Sequence, residues 1–234
     1  MAPELSATVV YTLLFVVATA GCVAGTVRAR RIEDAETRRS LVVLLATSGA
    51  WAATHASLLI LPGRTYKTTV YLIGLIFGFS TVFAWLYFCS AYTDRTYHRR
   101  PAYRHAGLAL YLAVVAVKVT NPVHHLYFTT GFVTEPFPHL AIQQGLFHWI
   151  VTGLSYMLAG VGMFALFEAF VEADYDTRPL AVLVALAGAP VVLDILGFAS
   201  TLLIDMIHAP LGVAAFAVGV LFVFEDRFFA VQLT

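Results

Sequence analysis

The chain has 234 residues, of which 60% are hydrophobic and only 12% charged. A soluble domain carries about twice that charge fraction, so together with a mean hydropathy of +0.82 the composition identifies an integral membrane protein. A formal net charge of zero leaves no basic footprint for nucleic acid, and Cys22 and Cys89, each inside an apolar run, form neither a disulfide framework nor a metal pair.

The chain opens with MAPELSATVV, which holds an acid and no basic residue. A signal peptide has a positive n-region, so the first apolar run is expected to stay as a spanning helix. Crossing a bilayer takes roughly 20 mainly apolar residues. Seven segments meet or approach that length: 5–27, 40–61, 69–92, 105–121, 145–171, 180–204 and 209–225. The expected fold is an all-α integral membrane protein, a seven-transmembrane helix bundle. Residues 1–229 are read as one transmembrane domain, and 226–234 as the start of a cytoplasmic linker.

Orientation follows from basic residues in the short loops. Arg28, Arg30, Arg31, Arg38 and Arg39 follow the first span. Arg95, Arg99, Arg100 and Arg104 follow the third, Arg178 the fifth and Arg227 the seventh. The opposite side has only Arg64 and Lys67. The N-terminus is therefore expected outside and the C-terminus inside, in a multi-pass protein of the cell membrane. The pairs Gly21/Gly25 and Gly74/Gly78 are GxxxG spacings that permit close helix contact, in a dimer or inside the bundle.

The fourth span runs into TNPVHHLYF, residues 120–128. The residue before proline is pushed out of the helical region. Asparagine is a good N-cap and proline suits the first helical position. Asn121 and Pro122 thus predict a stop near Thr120 and a short new helix carrying His124 and His125. The segment 122–144 contains no Lys or Arg and is expected to lie against the membrane surface.

Three ionisable residues lie deep in apolar runs: His55, Lys118 and Asp194. Each sits about 13–15 positions past the inner boundary of its span, roughly 20 Å up at 1.5 Å per residue. A charge facing lipid there costs at least about 2.5–3.5 kcal/mol, which pairing Lys118 with Asp194 would offset. Lys118 snorkelling outward and His55 bonded as a neutral imidazole are the structural alternatives. Asp194, Phe198, Thr201, Asp205 and His208 share one helical face, and His148 opens the fifth span. The ligand-binding or sensing candidates are therefore His55, Lys118, Asn121, His124, His125, His148, Asp194, Asp205 and His208. An outer pocket of imidazoles and carboxylates suits haem, a transition metal, a small anion or a pH response. The metal candidates are His55, His124, His148 and His208. Interfacial packing is the competing reading, and adjacent His124 and His125 point to different faces.

No nucleophile–base motif or phosphate loop is present. A retinal Schiff base is disfavoured, because the seventh span, APLGVAAFAVGVLFVFE, has no lysine.

Three pieces resemble the seven-transmembrane N-terminal sensor region of archaeal and bacterial histidine kinases. They are LYFCSAYTDR closing the third span, TNPVHHLYF after the fourth, and GLFHWIVTGLSYMLAGVGMFALFEAF as the fifth. The resemblance runs from about residue 5 to 229, and Thr120 to His124 is its most specific element. Twelve arginines against two lysines also fit a GC-rich archaeal composition. The resemblance implies a receptor module that perceives a stimulus and passes it through the seventh span to a kinase or PAS output domain in cis, within a homodimer in the lipid bilayer. The chain has no phosphoacceptor helix or ATP-binding domain, and His98 and His105, among arginines, are not read as phosphoacceptors. The alternatives are a stand-alone haem- or metal-binding membrane protein and a proton-coupled transporter using Lys118 and Asp194.

Overall fold

A computed structural model of the chain describes residues 2–134, 139–172, 185, 188 and 209–222. The sixth predicted span, 180–204, and the candidates Asp194, Asp205 and His208 lie outside the described residues.

Helices dominate. They are α1 (Ala2–Arg28), α2 (Ala35–Ile60), α3 (Arg64–Tyr92), α4 (Pro101–Val119), the short α5 (Asn121–His124), α6 (Leu146–Glu172) and α7 (Ala209–Phe222). Stretches within α1 to α4 and α6 are long and apolar enough to cross a membrane. Helices α2, α3 and α4 each begin four or five residues before the apolar runs that start at 40, 69 and 105. Local chemistry explains the starts of α2 and α4. Asp34 caps α2 by accepting from the Thr37 amide at 2.6 Å, and Pro101 stands at the first position of α4.

The helix α2 packs between α1 and α3, α6 and α4 pack on α3, and α7 lies against α1 and α2. Glycine sets the close approaches. A Cβ on Gly78 would stand 2.7 Å from Trp51 Cε2, and one on Gly74 would stand 2.7 Å from Thr54 Oγ1. This GxxxG pair is therefore used inside the bundle, where α3 meets α2. The Trp85 indole N–H donates to the Ala159 carbonyl at 3.1 Å and ties α3 to α6. Apolar side chains such as Leu108, Leu112, Val161 and Phe164 remain uncovered, which is the face a bilayer would cover.

The fold is mostly helical, with one addition that the sequence did not announce: the segment after α5 forms an antiparallel hairpin. Strands β1 (Phe128–Val133) and β2 (His139–Gln144) pair from Phe128 with Gln144 to Val133 with His139. Once Pro122 and the left-handed His125 (φ 55°) have ended the helix, this backbone must find partners. FTTGFV, rich in aromatic and β-branched residues, finds them by strand pairing.

Candidate functional site

Two apolar clusters fill the described bundle. One gathers α1, α2, α3, α6 and α7 around Phe15, Leu44, Trp85, Phe88 and Phe216. The other joins α3, α4, the hairpin and the start of α6 around Tyr71, Leu75, Phe79, Tyr127 and Phe128. Lys118 sits in the second.

Its side chain is 2% exposed. The ammonium donates to the Leu75 carbonyl at 2.7 Å and lies 4.7 Å from the Phe79 ring centroid and 5.3 Å from that of Tyr127. Lys118 therefore points into protein, toward α3, and does not snorkel. A helical carbonyl and two aromatic faces stabilise the charge in part. Asp194, its predicted partner, lies outside the described residues.

His148, on the first turn of α6, is also buried and packs edge-on against Tyr127 with ring centroids 5.4 Å apart. Among the described residues, its Nδ1 has no hydrogen-bond partner. Buried polar atoms are nearly always paired, so this atom marks a place where a partner fits. Burial pushes the Tyr127 phenol above its ordinary range, which keeps it neutral.

Asn121 answers to a different role from the one its sequence suggested. Thr120 occupies the cap position and makes no capping side-chain bond. The buried Asn121 side chain reaches to the hairpin. Its Oδ1 accepts from the amides of Tyr127 (2.9 Å) and Phe128 (3.2 Å), and its Nδ2 donates to the Phe128 carbonyl at 2.9 Å. Asn121 thus fixes Tyr127 beside Lys118.

The other histidines separate from this group. His55 is buried against Phe15 and Trp51 in the first cluster, with Nδ1 3.1 Å from the Trp51 carbonyl. His124 accepts from the Leu126 amide at 3.0 Å and lies 3.2 Å from the Thr120 hydroxyl, while His125 is exposed. Among the described residues, no three His, Cys, Asp or Glu side chains are grouped to hold a metal ion.

The opposite end carries a network that the sequence did not disclose. Glu36, at the start of α2, lies 2.5 Å from His98 Nε2 and pairs with Arg99. His98 Nδ1 lies 2.8 Å from the Ser90 hydroxyl, which donates to the Arg95 carbonyl. Arg95 pairs with Glu168 near the end of α6. These contacts gather α2, α3, α6 and the turn before α4 at the arginine-rich end. Lys67 was also missed. It is buried and donates to the Leu58 carbonyl in the last turn of α2 at 2.5 Å.

A family model described as the N-terminal 7TM region of histidine kinase matches residues 12–232. The chain belongs to this family. It is the transmembrane sensor region of a histidine kinase, a signal-transduction module whose family implies a cytoplasmic output domain in cis. A search of curated proteins finds no match. The most specific stretch of the resemblance, Thr120 to His124, falls inside the match, and in the structure it positions the Lys118–Tyr127–His148 group.

Proposed function

We propose that this sensor region crosses the cell membrane seven times, N-terminus outside, and perceives its stimulus in the outer half of the bundle. Lys118, Asn121 and His148 form the heart of the site. His55, His124, His125, Asp194, Asp205 and His208 belong to the same outer region. Residues 1–229 act as one domain in a homodimer, and the seventh span passes the signal to the linker that begins at 226–234. Gathering of the arginine-bearing turns at the end opposite Lys118 supports this orientation.

The buried Lys118 ammonium carries the reading. A membrane-embedded cation held without a carboxylate among the described residues costs stability, and such residues mark functional sites. A stimulus that binds one packing of the bundle better than another shifts the population of that packing, which is what an output domain can read.

The test uses the native gene product in its own membranes. An antibody against the 122–144 segment should capture a polypeptide that phosphorylates on histidine when supplied with ATP. The double variant His55→Ala with Asp194→Asn should express normally and lose the stimulus response. A wild-type response in that variant would remove the outer half as the sensing region.

A further inference from the structure

We propose that Lys118, Tyr127 and His148 form a binding site for a small monocarboxylate. The inference rests on the sensing role just assigned to the outer half and names the class of stimulus it takes.

The site has two open hydrogen-bonding positions and a surplus of positive charge. An ammonium has three N–H donors, and the Leu75 carbonyl at 2.7 Å takes one of those of Lys118. His148 Nδ1 is buried and has no partner among the described residues, on a side chain only 5% exposed. Both groups are gathered at Tyr127, the ammonium 5.3 Å and the imidazole 5.4 Å from its ring centroid. Among the described residues, the elements around them hold no countercharge. No Asp or Glu occurs in α3, α4, α5, β1 or β2, and the first turn of α6 has none. In α6 the acids are Glu168 and Glu172, near its far end.

Charge and shape select the ligand. One ammonium calls for one negative charge. A carboxylate has two oxygens, one for a Lys118 N–H and one for an N–H on His148 Nδ1, and the two bonds fix its orientation. The surrounding side chains are apolar, with Phe79, Val114, Tyr127 and Val151 in the same cluster. They suit the hydrocarbon remainder of a short organic acid. They do not suit phosphate or sulfate, whose larger charge and hydration make burial costly.

A carboxylate can reach this place from outside or from Asp194 of the same chain, and the test separates the two. The purified chain in lipid nanodiscs is titrated with sodium propionate by calorimetry, against sodium chloride and sodium phosphate at matched ionic strength. Propionate is expected to bind saturably, about tenfold or more tighter than either inorganic anion. Lys118→Met abolishes the binding. His148→Phe preserves the ring packing on Tyr127 and weakens it about tenfold. Absence of saturable propionate binding, or undiminished binding in both variants, overturns the proposal. Propionate binding that appears only in Asp194→Asn also overturns it, by assigning the site to Asp194. Calorimetry reads no kinase output, so binding can fail while the sensing role stands. Wild-type binding that is lost in Lys118→Met, with an unaltered phosphorylation response when the native gene product carries Lys118→Met, removes the sensing role alone.

Discussion

Replacing Asn121 with leucine should detach the hairpin from the end of α4. The amide side chain satisfies three main-chain groups, the Tyr127 and Phe128 amides and the Phe128 carbonyl. A buried group left without its partner costs about 1–3 kcal/mol. Two of these groups share one oxygen, so the three together give about 3 kcal/mol, or about 100-fold in a local opening constant. Hydrogen exchange read by mass spectrometry measures that constant directly. The Tyr127 and Phe128 amides should exchange about 100-fold faster in Asn121→Leu, while α2 and α3 keep their protection. Asn121→Asp offers a control within the same assay. It retains the oxygen that accepts from both amides and loses only the donor to Phe128, so its effect should be smaller. Exchange at both amides within about threefold of the wild type in Asn121→Leu would refute the argument.

Other perturbations report on other links. Lys67→Met removes the ammonium that closes the end of α2 at the Leu58 carbonyl. It should lower stability by about 1.5–3 kcal/mol in denaturant titration, the range for hydrogen bonds to charged groups. Gly78→Ala places a methyl 2.7 Å from the Trp51 ring. Overpacking of this kind costs about 1–3 kcal/mol and should lower the thermal midpoint. At the start of α2, the Thr37 amide holds the Asp34 carboxyl below its usual range. A depressed pKa contributes stability that is present above the unfolded value of about 3.9 and lost as pH falls through the folded value. Asp34→Ala should therefore cost about 1 kcal/mol at neutral pH and less in acid, read as thermal midpoints at both. Glu36→Gln should loosen the arginine-rich end more than Arg99→Ala, because His98 and Arg99 both converge on Glu36. Limited proteolysis of the turn before α4 gives the comparison.

Much of the bundle was legible because the bilayer simplifies the code. Apolar length marks a helix long enough to cross it, as in α1 to α4 and α6. The break at Thr120 and Asn121 was legible too, since proline acts on its immediate neighbour. What escaped depends on residues far apart in sequence. Glu36 and His98 are separated by 62 positions, and nothing local to either announces the other. Lys67 looked like an outer loop charge until α2 supplied a carbonyl for it to close. Asn121 carried a good capping signal, yet tertiary context gave its amide to the hairpin. The hairpin was hidden because an aromatic, uncharged segment beside a membrane reads equally well as an interfacial coil. The group around Lys118 was half legible: a lone cation in an apolar run stood out, while its aromatic partners did not.

The three tryptophans occupy three separate environments: Trp51 against Gly78 where α2 meets α3, Trp85 bonded to the Ala159 carbonyl where α3 meets α6, and Trp149 about half uncovered near the start of α6. The molecule thus carries its own optical gauges. Single-tryptophan variants would turn emission wavelength and quenching into a readout for each seam, so that sliding of α3 on α6 can be followed separately from motion of α2 on α3 without attaching any dye.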